Sequence, residues 1–207
     1  MRAAVIGAGL AAEIAGWWLV AAGRRDVWRS MPLILGAMGI AALLFAPVTT
    51  PEVGRSAAFG AGIAAGLVLF AGTKAFVWIA SAWEPFRRQT EEKYREAGEV
   101  PLRTSLALSL LVMVPAEELF WRGLAQQTLA GTGLGALGGA AAAWALYVAA
   151  NLPSRSLPIV AGAVVGGAVW AGLGWWSGGV LAPLASHILW TGLMLALPPG
   201  AGRKERA

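Results

Sequence analysis

Cysteine is absent from the chain, and histidine occurs once, at His187. The first absence removes disulfides, thiolate nucleophiles and cysteine metal sites, and leaves the redox compartment open. The second removes any metal site that draws two histidines from one chain. Charge is scarce as well: Asp, Glu, Lys and Arg make up 13% of the 207 residues, against roughly 25% in an average soluble domain. What fills the chain instead is apolar, at 57% of residues. Lipid is the natural solvent for such a composition, and the length divides into about seven spans of roughly 20 residues with short loops. The net charge of +5 does not point to nucleic acid. The basic residues sit in loops between apolar runs, where membrane orientation accounts for them.

The apolar runs fall at 3–22, 31–49, 57–83, 105–130, 132–150, 157–176 and 180–197, each close to the length that crosses a bilayer. The first run has features of a signal peptide, but Glu13, Trp17 and Trp18 interrupt it, so it reads as a retained span. Lys and Arg divide unevenly between the loops. One side receives Arg24, Arg25, Arg29, Arg87, Arg88, Lys93, Arg95, Arg103, Arg155, Arg203, Lys204 and Arg206, and the other only Arg2 and Arg55. That bias places the N-terminus outside and the C-terminus in the cytoplasm. The expected fold is therefore an all-α polytopic bundle forming a single membrane domain. Its parts are three N-terminal spans (1–83), a cytoplasmic amphipathic connector (84–104), a four-span core (105–197) and a basic cytoplasmic tail (198–207). The connector's mixed charges suit a solvated helix on the membrane surface. The Ala- and Gly-rich composition suggests a bacterial inner membrane. Gly62 and Gly66, Gly135 and Gly139, and Gly162 and Gly166 are each four apart, a spacing that lets helix backbones approach closely.

Charges inside lipid spans are costly, so each needs a partner or a task. Six polar residues stand in such positions: Glu13, Lys74, Glu117, Glu118, Arg122 and His187. Glu13 and Lys74 are expected to pair with each other or to face an aqueous cavity. The fourth span is denser, because Glu117, Glu118 and Arg122 fall within two turns. Glu118 and Arg122, four apart, share a face and can satisfy each other. Glu117 is rotated about 100° from Glu118. It is thus free to face a cavity and hold a water as a general base. His187 has Thr191 one turn later on the same face, two groups able to donate toward one point. Tyr147 and Asn151 are likewise one turn apart near the end of the fifth span.

These residues resemble the CPBP family, the CAAX-protease and bacteriocin-processing membrane proteins that include the Ras-converting type of prenyl protease. The family's Glu-Glu-x-x-x-Arg motif is matched in full by Glu117, Glu118 and Arg122. Its Phe-x-x-x-His motif is met by Tyr147 and Asn151, and its His-x-x-x-Asn motif by His187 and Thr191. The stretch Ser177-Gly178-Gly179-Val180-Leu181-Ala182-Pro183 before His187 is also similar to the family, and the resemblance spans residues 106–197. It implies a glutamate-dependent intramembrane endopeptidase, with Glu117 as the base, Glu118 and Arg122 as a supporting pair, and His187 as an oxyanion donor. Asn151 stands where the family has a histidine; it can hydrogen-bond a water but cannot take its proton. Thr191 keeps a donor where the family has asparagine. The scheme implies no metal and no cofactor.

Three readings follow. The first is an endopeptidase acting on a membrane-anchored peptide or protein. The second is a catalytically silent relative serving as an immunity factor or membrane-protein partner, which Asn151 favours. The third is a small transporter using Glu13, Lys74 and Glu117, for which inverted repeats and broken-helix signals are missing. Convergence of Glu117, Asn151, His187 and Thr191 on one cavity with a cytoplasm-facing opening would favour the peptidase, and a packed site without room for water the silent relative. A cavity reaching Glu13 and Lys74 would favour transport.

Overall fold

A computed structural model of the chain describes residues 1–199, and every regular element among them is helical. The expected basic tail at 198–207 lies almost wholly outside the described residues. Three apolar helices come first: α1 (Arg2–Ala21), α2 (Val27–Phe45) and α3 (Arg55–Ala80). The connector helix α4 (Glu84–Ala97) follows. Next come a long helical run over 102–134, called α5, and then α6 (Gly135–Asn151), α7 (Leu157–Ser177) and α8 (Leu181–Ala196). Five helical stretches are long and apolar enough to cross a membrane, and Leu181–Ala196 is a shorter apolar helix. Leu102–Ser154 counts among the five as one stretch of 53 residues. Its chain reverses at Gly133 (φ 93°) and Gly135 (φ 68°), left-handed conformations that glycine adopts without a Cβ clash. The chain is thus an integral membrane protein of the polytopic helical kind.

Local chemistry explains the ends. Asp26 caps α2 by accepting from the Arg29 amide at 3.0 Å, which satisfies one orphan donor of the first turn. Gly178, at φ 70°, closes α7 in the left-handed region. The loop before α3 then docks on the loop after α7, with the Glu52 amide donating to the Ser177 carbonyl at 2.8 Å. At another surface, the α1–α2 loop, α4 and residues 154–156 line a shared polar crevice that includes Arg25, Lys93 and Arg155.

Small residues set the closest helix contacts. Gly62 and Gly66 of α3 face the backbone of α8 at Ala182 and Ser186, so closely that an added Cβ would overlap it. Gly39 of α2 meets the Ala116 backbone and Gly9 of α1 meets the Phe120 ring. Both contacts draw α1 and α2 against the stretch of α5 that carries the two glutamates. Of the other spaced glycines, Gly139 packs on Ala130, whereas Gly135 has open space around it. Around the glutamates the backbone widens to i→i+5 bonding, over Ser109–Met113 and Glu118–Gln126, a distortion frequent at functional sites.

The connector does more than cover the surface. Its outer face carries ion pairs of Arg87 with Glu84 and with Glu91, and these partners hold the Arg87 guanidinium above its ordinary range. Its inner face buries Phe86 and Thr90. Burial likewise raises the Tyr94 phenol well above its ordinary range.

Candidate active site

The charged residues of α5 part company as helical rotation requires. Glu118 is fully buried and lies 3.3 Å from the Arg122 guanidinium, itself almost fully buried. That contact lacks hydrogen-bond alignment at Nη1. Arg122 instead donates through Nη2 to the Gly167 carbonyl at 3.2 Å and lies over the rings of Tyr147 and Trp170, at 4.8 and 5.6 Å. Its charge is shared between a carboxylate, a carbonyl and two aromatic faces, which offset part of its desolvation.

Glu118 also reaches across to α8, where His187 Nδ1 is 2.8 Å from its Oε1. Nδ1 is thus engaged by Glu118, and Nε2 points onward. The ring plane is fixed by Trp170, stacked on it at 3.5 Å between centroids and 15° between planes. Nε2 then faces Glu117, 3.9 Å from its Oε2. This is beyond a direct hydrogen bond, yet one oxygen atom at about 2.8 Å could touch both groups.

Glu117 lines a cavity of about 470 Å³, and so do Tyr147, Asn151, His187, Thr191 and Trp170. The four residues whose convergence the sequence left open therefore border one space. Glu118 and Arg122 stand behind this wall. The connector supplies Phe86, Thr90 and Tyr94 to the cavity, so a helix expected to be only a solvated link forms part of its lining. The lining also includes exposed Gly72 and Phe76 of α3 and exposed Val165 of α7. Both helices are apolar and of span length.

One expectation fails. Glu13 and Lys74 do not pair: Glu13 is fully buried, while Lys74 is exposed, its ammonium 5.6 Å from the Phe70 ring centroid. A long flexible lysine near a span end can extend toward polar surroundings without an acidic partner. Glu13 is held by donors from other helices. Trp121 Nε1 donates to Oε2 at 3.2 Å and Asn151 Nδ2 to Oε1 at 3.3 Å. Neither Glu13 nor Lys74 lines the cavity.

Sequence reasoning missed Trp170 and Trp121. Each is an apolar residue in an apolar helix, and no spacing marks the one that stacks on the histidine. Gln126, whose Nε2 donates to the Ala171 carbonyl at 3.3 Å, was legible as the next polar residue one turn after Arg122.

Residues 100–193 match the family described as Rce1-like, type II CAAX prenyl endopeptidase Rce1-like. That stretch contains every motif residue named above, in agreement with the resemblance to the CPBP family. No curated protein and no solved structure matches the chain.

Proposed function

From the match of residues 100–193 to the Rce1-like CAAX-protease family, which supports a membrane peptidase at family level, we propose a glutamate-type intramembrane endopeptidase. It hydrolyses a peptide bond of a membrane-associated peptide or protein. The observation that carries this reading is the convergence of Glu117, Asn151, His187 and Thr191 on one cavity.

In this mechanism Glu117 takes a proton from a water held between it and Asn151. The resulting hydroxide attacks the scissile carbonyl carbon. The His187 ring, held at Nδ1 by Glu118, offers Nε2–H to the oxyanion. The Thr191 hydroxyl is a second donor. Collapse of the intermediate returns the proton from Glu117 to the leaving nitrogen. Glu118, Arg122 and Trp170 do not touch the reacting atoms; they fix the orientation of His187. The exposed residues that α3 and α7 contribute to the cavity suit a substrate that approaches within the bilayer. With the N-terminus outside, the connector and the nearby cavity wall lie toward the cytoplasm. Residues 1–83, 84–104 and 105–197 then act as one membrane domain in which the last part holds the chemistry, at a bacterial inner membrane.

A second reading is supported by Asn151, whose amide cannot accept a proton as an imidazole does: a silenced relative that binds a membrane protein or confers immunity. Transport gains no support, because the cavity wall includes neither Glu13 nor Lys74.

The test is cleavage of a panel of membrane-anchored reporter peptides by purified protein in liposomes. Wild-type turnover that survives chelators and is lost in Glu117→Ala and His187→Ala supports the peptidase. An inactive wild type that gains activity as Asn151→His identifies the silenced relative.

A further inference from the structure

We propose that Glu13, supplied by α1 from outside the motif-bearing segment, is the positioning residue that locks Asn151 with its carbonyl oxygen turned to the cavity, where it holds the attacking water. The inference rests on the peptidase reading and adds to it a residue that no motif contains.

An asparagine side chain has two N–H donors on Nδ2 and one acceptor oxygen. In Asn151, Nδ2 lies 2.9 Å from the Tyr147 carbonyl and 3.3 Å from Glu13 Oε1. In this arrangement both partners accept, so both amide protons are committed. Turning the amide over would set its oxygen against two acceptors, each in a buried site where the repulsion is little screened. The orientation is therefore fixed. Asn151 is 3% exposed and borders the cavity, which leaves Oδ1 as the polar atom it presents there.

Glu13 is fixed in turn. Its second oxygen accepts from Trp121 Nε1 at 3.2 Å, so α1 is tied to α5 and α6 through one carboxylate. An acid with no exposure inside an apolar helix costs stability unless it is bonded, and an apolar side chain would fill the same space more cheaply. What an apolar side chain cannot do is dictate which end of an amide faces the cavity. The consequence for chemistry is a site with one proton acceptor, Glu117, and one fixed hydrogen-bond acceptor, Asn151 Oδ1, aiming the water between them.

Glu13→Gln is a sharp probe because Trp121 can only donate. The substituted glutamine must turn its single oxygen toward Trp121 and its amide N–H groups toward Asn151. Asn151 then has to turn its own oxygen inward and its N–H groups to the cavity, where they cannot accept from water.

Asn151 is the sole asparagine of the chain, so side-chain 15N-labelled asparagine gives one amide signal in the protein in detergent micelles. The expected wild-type result is two inequivalent, slowly exchanging amide protons, with exchange at least about tenfold faster in Glu13→Gln, as for a buried hydrogen bond released to water. Fast exchange of both protons in wild type overturns the inference with no variant needed. On reporter peptides, Glu13→Gln is expected to lower kcat on the order of tenfold or more, in the range of a misplaced catalytic contact, with KM unchanged. In an Asn151→Ala background Glu13→Gln is expected to cost nothing further. The same kcat loss in both backgrounds assigns Glu13 a general structural role and overturns the proposal. If no form cleaves, the peptidase reading fails, and the exchange measurement still decides whether Glu13 locks the amide.

Discussion

Residues 1–83 and residues 100–193 are both long apolar helices, yet they contribute to the site in different ways. The first region presents small residues where helices touch: Gly9 against Phe120, Gly39 against Ala116, and Gly62 and Gly66 against the α8 backbone. Its one buried acid, Glu13, has both oxygens occupied by donors. The second region carries Glu117, which borders the cavity and stands 3.9 Å from His187 Nε2, outside hydrogen-bond reach. A buried carboxylate saturated with donors can orient its neighbours. One left open at a cavity is available to a water. Charge inside the bundle is therefore not one signal but two, and the hydrogen-bond partners tell them apart.

The division is broken most forcefully at Glu117. Replacing it with alanine is expected to remove turnover on the order of 10²–10⁴-fold, the range of a general base, while the melting temperature in detergent stays at the wild-type value. A large drop in melting temperature would make Glu117 a structural acid like its neighbour. Glu118→Ala should act on stability as well. It strands Arg122 and frees His187, and a broken buried ion pair costs about 3–5 kcal/mol, measurable by denaturant unfolding in micelles. A variant as stable as wild type would contradict the role of Glu118 as the anchor of both partners.

In the first region, Gly62→Val is expected to cost about 1–3 kcal/mol through overpacking against Ala182. Turnover per folded molecule should not change, so this variant sharpens the contrast between shaping the bundle and doing chemistry. Smallest of all, Lys74→Ala should stay within about 0.5 kcal/mol of wild type, as for an exposed residue away from special features. A larger effect would show that the lysine has a partner in the membrane.

The all-helical membrane fold was legible because apolar runs of span length leave little alternative. The break between the fourth and fifth runs, expected at 131, falls at Gly133 and Gly135 instead. In a stretch containing Gly131, Gly133 and Gly135, composition does not choose the residue that takes positive φ. The pair of Glu118 and Arg122 was legible from a spacing of four, and the separate facing of Glu117 from helical rotation. Links between distant parts of the chain were not legible in this way. Glu118 meets His187 across 69 residues, and Glu13 meets Trp121 and Asn151 across 108 and 138 residues. No periodicity encodes such distances. The buried charge of Glu13 announced that a partner existed, and only the packing of α1 on α5 and α6 shows which.

The central claim, that Glu117 activates water for peptide hydrolysis, is tested most directly by cleaving a membrane-anchored reporter in 18O-labelled water under single-turnover conditions. The account predicts one 18O atom in the newly formed carboxyl terminus with wild type, and neither label nor cleavage with Glu117→Ala. Undiminished, labelled cleavage by Glu117→Ala would contradict it.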